Sequence, residues 1–471
     1  MSETPTNNHP ALTTACLLTL VCAGILIAAG ARGDLWLDEI HSLAFIEQAS
    51  SASQVFTSFR SDNNHILNTL WLYLLGPGHS FFSYRLLAVT CGIGSLLTLW
   101  RLAQPAGRLA VLFTLALAGS SYPLALYFSE ARGYAPALFC SLLAFLLLRR
   151  CREQLSSRNV VFFWIVTLLG LVAHSTFVII LVSLAGLSLY QEISSSAPLA
   201  QRAKRLLLLY SVPMLGLAAL YLGFIAAMTI GGGDRLGYTS VIGRAVALLT
   251  GLPDSQPWVG LALAAYLAIV IGGTFIHYRQ GSCEWPFYPL ALLICPLLML
   301  AVTRPEVLYF RYFLVCFPFF YLLLGSLLAK VSRTRIATAA VAVLILLIAA
   351  GQLARLTPFM KYGRGSYQAA LNYMAQHTPG AVISIGSDHD YRNGMLVSFY
   401  GRHLVGGKQV RFINRQYLQQ AQPEWIITHT QDLSYKPETV LLLEGVGRYS
   451  LKKVYPFAGD SGWNWMVYRR E

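Results

Sequence analysis

The sequence predicts a polytopic α-helical membrane protein with a C-terminal soluble α/β domain. Three observations predict it. Of 471 residues, 55% are hydrophobic and only 12% charged, with a mean hydropathy of +0.54, whereas a soluble chain of this length carries roughly a quarter charged residues. Apolar runs near the ~20 residues that a bilayer requires recur through the first three quarters of the chain. After residue 356 the pattern changes, alternating short helical and strand-like stretches.

Eleven apolar runs read as spans, at 11–31, 81–100, 109–121, 133–148, 159–173, 177–190, 206–228, 258–276, 286–302, 312–328 and 336–356. The loops between them sort by charge. Segments 101–108, 149–158, 191–205, 277–285 and 329–335 carry 13 Lys and Arg against 3 acids. Segments 32–80, 120–132, 229–257 and 303–311 carry 7 against 9. The positive-inside rule assigns the first set to the cytoplasm together with the N-terminus, and the second set and the C-terminal segment to the exterior. An odd number of spans satisfies that orientation. The net charge of +14 is therefore read as topology and not as a nucleic-acid surface. The first run has no Lys or Arg in Met1–Pro10 and no small-residue cleavage pattern, so it reads as a retained span. All eight cysteines fall in spans or cytoplasmic loops, which excludes an exterior disulfide framework or thiolate metal site. No Asn-x-Ser/Thr acceptor occurs, in keeping with a bacterial periplasm.

Two domains follow. Residues 1–356 form the membrane domain, with a long first exterior loop at 32–80, and residues 357–471 form a periplasmic α/β domain. In the tail, helix-like Ser366–Gln376, Tyr391–Leu404 and Gln416–Gln422 alternate with strand-like 381–385, Gln409–Ile413 and Glu424–Thr428. Strands near 439–443, 450–456 and 464–469 close it. The tail holds no recognisable catalytic motif and reads as a packing or acceptor-presenting cap. In the first loop, Ile40, Leu43, Ala44 and Ile46 form one apolar stripe and Val55, Phe56 and Phe59 another. The expectation is two short amphipathic helices lying in the membrane interface.

Three exterior clusters can carry chemistry. The first is Asp38-Glu39 with Asp62-Asn63-Asn64-His65. Carboxylates at an apolar boundary are costly, yet this pair stays there; its structural alternatives are a charged helix end and a helix cap before Ile66–Leu75. The second is Ser129-Glu130-Ala131-Arg132-Gly133-Tyr134. Arg132 has either Glu130 or an external anion as partner, and residues at i and i+2 of a helix do not face one another. The third is Thr303–Tyr312, where Arg311 opens an otherwise apolar span and either snorkels to headgroups or meets a ligand. Carboxylates and arginines on one membrane face suit transfer from a lipid-linked phosphate: guanidinium groups neutralise the leaving phosphate while an acid deprotonates an attacking hydroxyl. No P-loop or dinucleotide fingerprint appears, and an exterior site has no access to cytoplasmic nucleotide sugars.

These residues resemble the GT-C glycosyltransferases, in the branch of the dolichyl-phosphate-mannose protein mannosyltransferase-like and aminoarabinose transferase-like enzymes. The resemblance covers most of 1–356. It rests on Leu35-Trp36-Leu37-Asp38-Glu39, Asp62-Asn63-Asn64-His65, Tyr84-Arg85-Leu86, Ser129–Tyr134 and Arg311-Tyr312, in that order along the spans. The ending Ser461-Gly462-Trp463-Asn464-Trp465 also looks like bacterial members. The resemblance implies Asp38 as catalytic carboxylate with Glu39 beside it, and Arg132, Arg311 and Tyr312 on the carrier phosphate. It implies His65, Glu130, Tyr134 and Arg85 near sugar or acceptor, and inversion at the anomeric carbon. Some relatives hold a divalent ion at the acid pair, for which His41 or His65 are the candidate ligands here. Eukaryotic protein mannosyltransferases carry a lumenal β-trefoil that this chain lacks.

The expectation is an inner-membrane enzyme that moves one sugar from an undecaprenyl-phosphate carrier to lipid A, O-antigen, another envelope glycan or a protein. Two alternatives stand beside it. An O-antigen polymerase or ligase leans on exterior arginines without the early acid pair. A lipid-linked sugar flippase or transporter needs polar residues or broken helices at mid-membrane, whereas these spans are nearly clean of charge apart from Arg85.

Overall fold

The computed structural model describes residues 10–233, 235–404, 407–432 and 434–471, so most of the head Met1–Pro10 lies outside the described residues. The chain divides into two compact units. One comprises Met1–Ala28, Ala49–Leu75 and Tyr84–Leu353; the other comprises Ala29–Gln48, Gly76–Ser83 and Ala354–Glu471.

The first unit is helical. Among the described residues seven helices are long and apolar enough to cross a membrane, and six apolar helices of 10–17 residues accompany them. The expected runs are found with bounds moved by a few residues, as in Tyr134–Glu153 and Ser157–Ala173. Their burial separates a centre from a periphery. In Phe310–Val331 and Tyr134–Glu153, 83% and 72% of the most apolar window is buried, against 17% in Pro10–Gly30 and Leu199–Ala227. Peripheral helices that are apolar all round find their apolar partner in lipid. At the centre, small residues bring backbones together: a Cβ on Gly325 would lie 2.8 Å from the backbone nitrogen of Thr114.

Two stretches depart from the sequence expectation. The stretch 238–250, read as exterior loop, is the 13-residue helix Tyr238–Thr250. At 1.5 Å per residue it is about 20 Å long, too short to cross a bilayer, and Val241 and Leu248 on it are buried. The run at 286–302 is interrupted by a π turn at Leu290–Ile294. Pro289 and Pro296 flank it and lack the N–H groups that a regular helix uses, and Tyr266 donates its hydroxyl to the Leu292 carbonyl.

The second unit is built on a six-stranded sheet: β1 Val382–Ser387, β2 Gln409–Ile413, β3 Trp425–Thr430, β4 Val440–Leu443, β5 Gly447–Tyr455 and β6 Asn464–Arg470. The order is β2-β1-β3-β6-β5-β4. β1 pairs in parallel with β2 and β3, while β3–β6, β6–β5 and β5–β4 are antiparallel. The helix Asp390–Gly401 makes the β1–β2 crossover, as parallel pairing requires. The period-2 pattern sorts the two faces. Ile426, Met466, Tyr468 and Tyr449 pack on one; Trp425 and Trp465 are buried on the other, their ring N–H groups given to Thr378 and Asn393 at 2.8 Å. At the end of β1, Ser387 donates to Asp388 at 3.2 Å and Asp388 pairs with His429 at 2.8 Å. The serine thus lies on the acid and not on the imidazole, which is not a nucleophile–base arrangement.

The helix Leu37–Gln48 belongs to this unit. Its stripe of Ile40, Leu43 and Ile46 is buried, with Ile40 and Ala44 facing Tyr391 and Met395 of Asp390–Gly401 across a cavity of about 370 Å³. The expected interfacial helix is therefore covered by protein. The second stripe, in Gln54–Thr57, buries Val55 but leaves Phe56 exposed.

Candidate active site

The acid pair lies in the first turn of Leu37–Gln48. Acidic residues belong there because helix N-termini carry unsatisfied N–H groups and a partial positive charge. The two carboxylates differ sharply in surroundings. Glu39 is 1% exposed and its Oε2 accepts from the Trp36 backbone N–H at 3.1 Å. That is the returning half of a capping box, so Glu39 holds the helix start. Asp38 is half-buried, and its backbone carbonyl accepts from Ser42 at 3.0 Å. Of the pair, Asp38 is the less buried carboxylate.

In the first unit, two motifs far apart in sequence are locked together by three buried hydrogen bonds. Arg132 Nη2 donates to Asn63 Oδ1 at 2.9 Å, the Gly133 N–H to His65 Nδ1 at 2.9 Å, and Asn68 Nδ2 to the Ala131 carbonyl at 2.7 Å. Residues 129–133 form a non-helical turn between Tyr122–Tyr127 and Tyr134–Glu153. Gly133 permits the approach: a Cβ there would lie 1.9 Å from the Ala173 carbonyl oxygen and 2.8 Å from His65 Cβ. Asp62 is spent elsewhere, accepting the Gly231 N–H at 3.0 Å, and Asn64 donates to the Val55 and Phe59 carbonyls. The 62–65 stretch thus serves long-range contacts more than the helix cap that its sequence suggests.

Tyr134 lies at the centre. Its ring is 5.3 Å from His65 and 4.5 Å from His174, and the Arg132 guanidinium sits 5.1 Å from its centroid. Tyr312 comes within 6.4 Å of the His174 ring, and Arg311 lies over Tyr309 at 4.2 Å. His174 went unnoticed in the sequence. It stands alone between Ser157–Ala173 and Phe177–Ile193, with no motif around it.

Both histidines are held neutral. Burial lowers His65 well below the usual histidine range, with Arg132, His174 and Arg311 adding to the effect. Burial, then Arg132 and Arg311, lowers His174 to about 3. Each Nδ1 accepts a backbone N–H, from Gly133 at 2.9 Å and from Thr176 at 3.2 Å. Each ring proton therefore sits on Nε2. Two guanidinium groups and two Nε2–H imidazoles make a donor-rich cluster suited to an anion.

A stability consequence follows from these depressed values. The unfolded chain takes up protons at His174 below about 6.5, whereas the folded chain resists until about 3. The folded state therefore loses stability as pH falls through that window. His174→Asn keeps an acceptor for Thr176 and removes the titration. In detergent melts from pH 7.5 to 4.5, the parent protein is expected to lose melting temperature more steeply than this variant; parallel curves would contradict the assignment.

Arg85 and Glu130 are fully buried in the first unit, and neither is without a partner. His41 lies in the second unit, 3.4 Å from the Tyr391 hydroxyl through Nδ1. Among the described residues no group of three or more His, Cys, Asp or Glu could hold a metal ion. His65, its Nδ1 occupied and two arginines acting on it, does not suit a cation.

No protein-family model matches the chain, and no curated protein matches it in sequence. Among solved structures it is similar to ArnT from Cupriavidus metallidurans in the apo state. The TM-score is 0.55 at 12% identity, over 97% of this chain and 98% of that one. With the same protein bound to undecaprenyl phosphate the TM-score is 0.53 at 11% identity, over 98% of each chain. This chain has the GT-C fold. The likeness covers nearly the whole length of both chains. At this identity the shared property is the fold.

Proposed function

We propose that this protein is an inverting glycosyltransferase that moves one sugar from an undecaprenyl-phosphate carrier to an acceptor at the periplasmic face of a bacterial inner membrane. The observation that carries this reading is the donor-rich cluster of Arg132, Arg311, His65 and His174, with both imidazoles kept neutral. Such a cluster favours a phosphate over a neutral glycan or a cation. The fold likeness to ArnT, a protein solved with undecaprenyl phosphate bound, supports the same carrier.

In this reading Asp38 takes the proton from an acceptor hydroxyl as its oxygen attacks the anomeric carbon. The bond from that carbon to the phosphate oxygen breaks with its electron pair leaving on the phosphate. Arg132 and Arg311 neutralise the charge gained by the departing polyprenyl phosphate. Single displacement inverts the anomeric centre. Tyr312 joins the phosphate contacts, and Tyr134, Glu130 and Arg85 shape the substrate-side walls. Loop charge supports a cytoplasmic N-terminus and a periplasmic tail, so that the donor is met on the face opposite the N-terminus.

The test is transfer in nanodiscs from a panel of synthetic undecaprenyl-phosphate sugars to membrane extract, read by mass spectrometry. Transfer from at least one member with inverted configuration is expected. Transfer from undecaprenyl-diphosphate oligosaccharides alone would instead favour a polymerase or ligase. Movement of donor across the bilayer without bond cleavage would favour transport.

A further inference from the structure

The segment leading to Asp38 is built into the sheet domain rather than into the first unit. Four contacts within the second unit hold it. Arg364 Nη1 donates to the Gly30 carbonyl at 3.1 Å, and the Gln368 N–H donates to Asp34 Oδ2 at 2.9 Å. The Tyr400 hydroxyl donates to the Leu35 carbonyl at 2.6 Å, and the Trp36 and Trp463 rings lie 6.2 Å apart. Arg364 and Tyr400 are almost completely buried.

Each partner is itself fixed. Helix Tyr367–His377 has no side-chain cap from its own Ser366; Asp34 supplies a carboxylate to its first turn from 334 residues away. Tyr367 donates to the Arg364 carbonyl at 2.8 Å and accepts the Trp463 N–H at 3.0 Å. Gly462, at φ +118°, lets this strand lead-in pass; a Cβ would lie 1.7 Å from the Arg364 carbonyl oxygen. The Ser-Gly-Trp-Asn stretch near the C-terminus therefore locks the residues that lock the acid loop.

We propose that Tyr400 is a positioning residue for Asp38: its hydroxyl, given to the Leu35 carbonyl, sets the start of the helix whose first turn carries the base. This rests on the reading of Asp38 as base. Leu35 is three residues before Asp38 and two before the helix begins, so motion at its carbonyl is passed to the carboxylate with little slack. A misplacement of about 1 Å costs up to ~100-fold in rate, and reactive groups need support on the order of 0.5 Å. The sheet domain is thus part of the catalytic apparatus and more than a cap.

The experiment uses full-length protein in nanodiscs with Tyr400→Phe, Asp38→Asn and the double variant. Tyr400→Phe is expected to lower kcat about tenfold or more with donor KM unchanged. In the Asp38→Asn background it is expected to add nothing, because the group it positions is gone. A full rate in Tyr400→Phe, with Asp38→Asn inactive, overturns the positioning role and leaves the base intact. An equal slowing in both backgrounds also overturns it. A full rate in Asp38→Asn removes the base reading and the proposal with it. Should Tyr400→Phe fail to fold, Asp34→Asn, which keeps an oxygen for the Gln368 N–H, is compared with Asp34→Ala, which does not. The asparagine is expected to keep several-fold more kcat, and equality overturns the proposal.

Discussion

Conversion of Asp38 to Asn is expected to lower kcat by roughly 10²- to 10⁴-fold, the range over which a positioned general base acts, while the protein folds and still binds undecaprenyl phosphate. The substitution keeps shape and leaves the carbonyl that Ser42 uses, so stability should change little. Glu39→Gln is the paired control. The amide retains an oxygen for the Trp36 N–H, so the capping role survives and activity should fall far less than in Asp38→Asn. Single-turnover transfer from a labelled donor separates the two. Wild-type turnover in Asp38→Asn, with Glu39→Gln inactive, would exchange their roles. Wild-type turnover in both would remove the acid pair from the chemistry.

The second large effect is expected at Arg132. Replacing it with Gln should cost about 10²- to 10³-fold in kcat, about 2.7–4 kcal/mol, as for loss of a preorganised charge-stabilising donor. Affinity for undecaprenyl phosphate should fall as well, since the product phosphate carries the charge that the guanidinium neutralises. Arg132→Lys should not restore it, because an ammonium cannot keep both the Asn63 bond and the seat on Tyr134 while addressing a phosphate through a second fork. Binding of undecaprenyl phosphate measured in nanodiscs decides the case. Unchanged affinity in Arg132→Gln, with melting temperature lowered, would make this arginine a structural strut between residues 63 and 132.

Much of the fold is legible along the chain for a physical reason. A bilayer imposes one length on every crossing helix, and a half-buried strand imposes period 2, so both leave local signatures. The tail strands Gln409–Ile413 and 464–469 fall where alternation puts them, at β2 and β6. The helix Tyr238–Thr250 is not legible in the sequence because a loop and a short buried helix share an apolar content that length alone does not separate. In the candidate site, Arg132 and Arg311 stood out because charge is rare and costly at those positions.

By itself, then, the sequence determined the helical membrane part, the sheet domain and a short set of charged residues near the ends of apolar runs. Tertiary structure alone decided what those residues touch. The cradle of Arg132 depends on Asn63 and Asn68 from another part of the chain. His174 joins His65 at 4.8 Å only because two helices meet there, and Gly133 matters only because Ala173 is opposite it. The proposed division of labour between Asp38 and Glu39 rests on Glu39 being the carboxylate that turns back to its own helix start. Tyr400 reaches Leu35 across 365 residues. Local patterns record what solvent a segment meets; they hold no record of which distant segment it will touch.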